Sequence, residues 1–409
     1  MLRSAVGVAL ATGVTVAVFT YRQRRALTSA AKRALRAHYC RDVDDELLHV
    51  LRTSATEAVS VTAGGDLPDD VDVLIFPGAA TPDRVYVAAA ALPNLKALIM
   101  AYAGILPGQI DKMRVAFGDR LGSKVTLHNL HHNAPMTAEM GVALLLAAAK
   151  RLLPADEKLR AGDWRPRGLP FPGEEVDPPM PMVLLEGRTA LVLGLGHLGT
   201  RVAKVLHALG MRVLGTRRSV RPGSMTVVDG VEVCMKAVYK VPRSSLRCCM
   251  HVLTTSPSPP QVFSAEELAS LLPRADVLMI CLPSTALTRS LLGAKELALL
   301  PLGSVLVNVG RGDIVDESAL FEALRSGRLF GAGIDVWYNY PANFAAASST
   351  PPSTLPFHEL DSVVLSPHRG GGIGIRDTEL VRMRHLGQMI AEAAGGKPMP
   401  NKWDFAQGY

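Results

Sequence analysis

Leu191-Val-Leu-Gly-Leu-Gly-His-Leu-Gly199 is the stretch from which the rest of the chain is best read. Apolar strand residues deliver three glycines at G-x-G-x-x-G spacing into the helix-like stretch Thr200 to Leu209, and a second strand-like run follows at Met211 to Thr216. This is the order of a dinucleotide-binding βαβ unit. Gly194 permits the tight turn, Gly196 lets the backbone approach a pyrophosphate, and Gly199 lets the helix lie close on the strand. The first amides of that helix face the anion. A tight Gly-rich turn without a ligand is the competing explanation, and it requires neither the strand before nor the helix after.

The end of the second strand bears on which dinucleotide is bound. A carboxylate roughly 20 residues past the glycines would hydrogen-bond a ribose 2′-hydroxyl and repel a 2′-phosphate. Here the slot reads Gly215-Thr-Arg-Arg-Ser219, with no acid. Arg217 and Arg218 offer forked donors to a phosphate, so NADP(H) is the expected preference and NAD(H) the alternative. A solvated arginine pair at a strand end would look the same.

With 409 residues and 48% hydrophobic composition, the chain can bury two ordinary cores. Its formal charge of +7 is unevenly distributed. Residues 1–41 hold eight Lys/Arg and no acid, leaving 36 basic against 37 acidic residues, so the body is close to neutral and no nucleic-acid partner is expected. The first 41 residues read as an organellar transit peptide, for a mitochondrion or chloroplast. The apolar stretch Ala5 to Thr20 leaves a signal anchor open, and a cytoplasmic or membrane-anchored location with it. Five cysteines without ligand spacing argue against a disulfide framework and a metal site.

Strand-like runs rich in Val, Leu and Ile alternate with helical stretches at Val71-Phe76, Leu95-Ala101, Lys124-His128, Asp276-Leu282, Ser304-Val309, Ala332-Trp337 and Ser362-Leu365. Strands apolar on both faces belong to parallel sheets in α/β folds. A Pro-rich bridge, Arg165 to Pro181, precedes the glycine motif. Residues 234–261 break the rhythm and read as an irregular insert.

Three later stretches are informative together: Leu306-Val-Asn-Val-Gly-Arg-Gly-Asp-Ile-Val-Asp-Glu317, Gly331-Ala-Gly-Ile-Asp-Val336 and Leu365-Ser-Pro-His-Arg-Gly-Gly371. In residue type, order and spacing they resemble the D-isomer-specific 2-hydroxyacid dehydrogenases, among them the glyoxylate/hydroxypyruvate reductases and phosphoglycerate dehydrogenases. The resemblance spans about residues 70 to 400 and implies a two-domain α/β fold. A Rossmann dinucleotide-binding domain (135–368) is inserted into a flavodoxin-like substrate domain formed by 42–134 and 369–409. It also implies a homodimer joined through the cofactor domain.

Reducing a 2-oxo acid requires a held carboxylate, a polarised carbonyl and an acid. Arg311 offers a fixed fork to both oxygens, and His368 a proton from a group that titrates near neutrality. The resemblance places Ala103 and Gly104 at the substrate carboxylate. It places Gly194, Gly196, His197, Leu198, Gly199, Arg217, Arg218, Leu282, Pro283, Thr288, Val309, Asp335 and Gly371 at the cofactor, with Asp335 at the nicotinamide amide. Among His128-Asn-Leu-His-His132 a metal site is disfavoured, while His132 is a candidate for the substrate pocket.

One position departs from the family. A glutamate usually supports the histidine there, but here the run is Asp335-Val-Trp-Tyr-Asn-Tyr-Pro341, which puts Tyr340 in its place. A phenol orients an imidazole without stabilising its cation as a carboxylate does. The expected activity is interconversion of a small 2-oxo acid and its D-2-hydroxy acid. The alternatives are a nucleotide-sensing protein resembling the C-terminal-binding corepressors and a formate dehydrogenase-like enzyme, which also lacks that glutamate.

Overall fold

The structure, a computed structural model, describes residues 33–78, 81–105, 107–168, 180–217, 226–228, 231–235, 261–263, 267–343 and 345–405. Its first unit runs β1 (Leu35–Tyr39), α1 (Asp45–Ala55), β2 (Val59–Ala63), β3 (Val73–Phe76), α2 (Asp83–Ala91), β4 (Ala97–Met100), α3 (Pro107–Phe117) and β5 (Thr126–Asn129). The five strands are parallel in the order β2-β1-β3-β4-β5, as in flavodoxin-like sheets. β3 and β4 are buried along their whole length, as their unbroken apolar runs require.

The boundary expected at residue 42 is corrected here. β1 lies between β2 and β3, with Ala37 and Tyr39 in the core, so the fold begins before Leu35. Two of the basic residues that suggested an address have structural partners. Arg33 and Arg36 pair with Asp70, and His38 shares a hydrogen bond with Thr62. Met1 to Lys32, with the apolar stretch Ala5 to Thr20, lie outside the described residues.

Two helices follow, α4 (Ala134–Ala149) and α5 (Leu152–Arg160). The second sheet then builds from β6 (Thr189–Leu193), α6 (His197–Ala208), β7 (Arg212–Thr216), β8 (Thr226–Val228), β9 (Val231–Met235), β10 (Gln261–Phe263), α7 (Leu268–Leu271) and β11 (Val277–Ile280). It is completed by α8 (Ala294–Leu299), β12 (Ser304–Asn308), α9 (Glu317–Arg325), β13 (Leu329–Ile334) and β14 (Val363–Leu365). Its order is β14-β13-β12-β11-β6-β7-β10-β9-β8, parallel except at β8 and β9. From β10 to β13 this is the doubly wound order that changes direction beside β6, where such sheets bind dinucleotides. Cys234 and Gln261, at the ends of the stretch expected to be irregular, lie in strands. Residues 236–260, including Cys248, Cys249 and His251, are outside the described residues, as is Arg218.

The chain then returns to the first sheet. α10 (Arg376–Ala394) packs on α1, where Gly387 lies against Ser54 and the Leu51 carbonyl too closely for any side chain. Beyond it, Lys402 bridges to His128, and the Trp403 N–H donates to Leu127 O at 2.7 Å. The result is two parallel-sheet α/β domains, the second built from a segment inserted between two parts of the first.

Candidate active site

The glycine turn has the steric features its spacing suggests. Gly194 has φ +94° and lies against Leu282 and the Cys281 carbonyl. A Cβ on Gly199 would collide with the Gly194 carbonyl, so the start of α6 rests on the turn itself. A Cβ on Gly196 would meet nothing within 4 Å. The turn therefore leaves open space at a helix N-terminus, which fits a bound pyrophosphate. Thr216 closes the far side, its hydroxyl accepting from Gly194 N–H at 3.2 Å. Arg217 stands exposed at the end of β7, where a ribose phosphate would lie, and Leu198 packs partly into the core below.

Across the sheet, β12 ends in the loop that carries Arg311. The Asn308 side chain spans that loop, donating to Arg311 O at 2.9 Å and accepting from Gly310 N–H at 3.0 Å. The flanking glycines are sterically required, since a Cβ on Gly310 would strike the Leu282 carbonyl and one on Gly312 the Trp337 carbonyl. The neighbouring loop is held by Thr288, whose hydroxyl donates to Pro283 O at 2.6 Å and accepts from Thr285 N–H at 2.8 Å. Val309 is buried against Gly141 of α4. Arg311 Nη2 lies where a Cβ on Gly104 of the other domain would point, so a side chain there would push the guanidinium end aside. Asn129 steadies the same turn, its Nδ2 donating to Ala103 O at 2.8 Å.

His368 sits on the loop after β14 in a left-handed conformation, φ +52°, which few residues with side chains adopt. Asp335, 1% exposed, holds this loop. Its carboxylate accepts from the Ser366 hydroxyl at 2.5 Å and from the N–H groups of Arg369 and Gly370 at 3.0 and 2.9 Å. Trp337 Nε1 donates to Ser366 O at 2.8 Å. Asp335 thus anchors the histidine loop, whatever it does for a nicotinamide, and Gly371 continues the loop against Asn133.

Tyr340 meets His368. Its hydroxyl lies 2.8 Å from His368 Nδ1 and accepts from Trp337 N–H at 3.1 Å. Burial pushes the phenol's pKa up, so it stays protonated, and its proton is free to point at Nδ1. In the other tautomer the ring's Nδ1–H donates to the phenol oxygen, and Nε2 is left free to accept a proton. His368 is pushed below its usual range by burial and then by the nearby Arg311 charge, with Asp335 opposing. Asn308, Trp337 and Ser366 carry no sequence signature of their own. Each is recognisable only by its place beside Arg311, Tyr340 or His368.

His132 does not line open space. It is 2% exposed, and its Nε2 accepts from Arg382 Nε at 3.2 Å, because the helix that follows carries the side chain inward. His131 stacks on His197 with ring centres 4.4 Å apart, and burial and that neighbour lower its pKa to about 4. His128 is tied to Pro400 O and Thr126. Among the described residues no group of three or more His, Cys, Asp or Glu could hold a metal ion.

A glycine turn at a helix N-terminus, an arginine that reaches the other domain and a histidine held by a phenol are the parts of a two-domain nicotinamide-dependent oxidoreductase. Residues 142–246 and 237–370 match the family described as "D-isomer specific 2-hydroxyacid dehydrogenase, NAD binding domain". The chain is 33% identical over 298 residues to the glyoxylate reductase of Aeropyrum pernix, covering 71% of this chain and 72% of that protein. It is 29% identical over 331 residues to the D-3-phosphoglycerate dehydrogenase of Mycobacterium tuberculosis H37Rv, covering 79% of this chain and 51% of that one. The fold matches the D-isomer-specific 2-hydroxyacid dehydrogenase of Xanthobacter autotrophicus Py2, solved with NADPH and MES, with TM-score 0.63, 23% identity, 92% of this chain and all of that one. The chain belongs to the D-isomer-specific 2-hydroxyacid dehydrogenase family, as an NAD(P)-dependent oxidoreductase.

Proposed function

We propose that this enzyme reduces a small 2-oxo acid, such as glyoxylate or hydroxypyruvate, to its D-2-hydroxy acid, with NADPH preferred. The observation that carries the reading is Arg311 set against Gly104, with its charge felt by both His368 and Tyr340. When bound, the dinucleotide supplies the hydride that reaches the substrate's C2. Arg311 and the amides of Ala103 and Gly104 hold the carboxylate, and Arg311 also polarises the carbonyl. His368 Nε2 gives its proton to the oxygen as the C=O bond becomes a C–O single bond, and takes it back in oxidation. While His368 is a cation, Nδ1–H donates to the Tyr340 oxygen, and the phenol proton turns toward solvent.

Arg217, exposed at the ribose end, supports NADPH over NADH. Homodimerisation is supported by an apolar face. Leu152, Leu153 and Trp164 are 50–60% exposed. Met182 and Leu184 lie beside them on a segment bonded back to Pro166 and Ala149. We place the organellar address before the first strand, in residues 1–32. A reporter fused to them that stays outside organelles would refute that placement.

The test is a panel of 2-oxo acids with NADPH and with NADH, followed by absorbance. Turnover with a lower KM for NADPH is expected. Tight NADPH binding without turnover of any acid would instead favour a nucleotide-sensing protein.

A further inference from the structure

Arg382, on α10, is 1% exposed, and an isolated guanidinium is costly to bury. Three elements contribute to its surroundings. Its Nη1 donates to Glu379 Oε2 at 2.6 Å on its own helix, and its Nε donates to His132 Nε2 at 3.2 Å on the loop before α4. Its guanidinium carbon lies 4.2 Å from the ring centre of Tyr102. Arg382 Nη2 and His132 Nδ1 are buried without a hydrogen-bond partner among the described residues. Accepting from Arg382 puts the His132 proton on Nδ1, so the unpartnered atoms are two donors. Burial and Arg382, then His385 and His131, lower the His132 pKa to about 3, so the ring stays neutral.

Tyr102 begins the turn on which the proposed chemistry depends. Its carbonyl accepts from Leu130 N–H at 3.2 Å, Ala103 is tied to Asn129, and Gly104 touches Arg311. One guanidinium lies on each side of three consecutive residues, Arg382 against the ring of the first and Arg311 against the backbone of the third. Removing either leaves its own end of that turn to the Leu130 and Asn129 hydrogen bonds alone.

We infer that Arg382 is a positioning residue for substrate: acting through Tyr102 and His132, it holds the Tyr102–Gly104 turn where the Ala103 and Gly104 amides and Arg311 share one carboxylate. This rests on the reading of the site given above. It does not touch the reacting atoms, so its removal acts on binding of the oxo acid more than on the chemical step.

The experiment compares wild type with Arg382→Met and Arg382→Lys, using glyoxylate and NADPH. For Arg382→Met, KM for glyoxylate should rise about tenfold, equivalent to about 1.4 kcal/mol, with kcat and the NADPH Kd little changed. Arg382→Lys should recover part of the loss, since a cation is again set on the ring. Tyr102→Leu removes only the aromatic face and should raise KM in the same way, which keeps the idea open to refutation if Arg382→Met does not fold. An unchanged KM in a folded variant that binds NADPH overturns this inference alone. Loss of NADPH affinity in parallel overturns it in favour of a general structural role. A wild type that turns over no 2-oxo acid overturns the underlying reading and this inference with it.

Discussion

Two loops at strand ends of the second sheet, one after β6 and one after β14, are shaped by opposite means. The cofactor turn holds its form because side chains are missing: Gly194 takes a positive φ, Gly199 lies on the turn's own carbonyl, and Gly196 leaves a space. The His368 loop holds its form because side chains from elsewhere are present. Asp335, Trp337 and Tyr340, 28 to 35 residues earlier in the chain, bind it at five points. A turn made by absence tolerates little change within itself. One made by distant hydrogen bonds can be retuned from outside, and Tyr340 is an instance.

The largest expected effect lies on the second loop. His368→Gln should lower kcat for reduction by roughly 10²- to 10⁴-fold while leaving the NADPH Kd unchanged. Undiminished turnover would move the acid elsewhere. Next comes a contrast within the first loop. Gly199→Ala forces a Cβ onto Gly194 O and should destabilise the protein by about 1–3 kcal/mol in chemical denaturation. Gly196→Ala, in an extended conformation with open space around it, should leave stability nearly alone and weaken NADPH binding. If the two variants lose stability equally, the turn is not shaped as described.

Tyr340 sharpens the comparison further. Reduction needs the His368 cation, so its rate should fall as pH rises through a pKa held below the usual value of 6.5, while oxidation should rise through the same pKa. Tyr340→Glu puts an anion at Nδ1, raises that pKa and should move the alkaline limb of the reduction profile to higher pH. A profile that does not move would mean that another group supports the imidazole. The smallest effect belongs to Arg376, which pairs with Asp44 at 2.7 Å and with Glu46 on an exposed surface. Arg376→Ala should leave the thermal midpoint within error, because solvent screens such pairs.

The same contrast explains what the sequence made legible. Gly194, Gly196 and Gly199 could be assigned steric roles because those roles depend on a few adjacent residues. α10 ends at Gly395, a helix stop that lies next to it in the sequence. β1 was hidden because Arg36 and His38 interrupt Leu35-Arg-Ala-His-Tyr39, and their partners Asp70 and Thr62 are distant in sequence. β2 alternates buried and exposed residues at its start, so it presents no unbroken apolar run. His132 could not be placed without Arg382, 250 residues away. Asn308 and Ser366 act only through loops that the fold brings together.

The first domain uses both ends of the described chain: β1 near the start, α10 and the Trp403 pairing at the close. During synthesis, β5 is complete roughly 10–60 s before Trp403 is made, at ordinary elongation rates. Over that interval α1 has no α10 to cover its Leu51 and Ala55, while every strand of the inserted domain has been made by Leu365. The domain synthesised first is therefore the last to be completed, and the nascent chain carries α1 with its apolar face uncovered until α10 emerges.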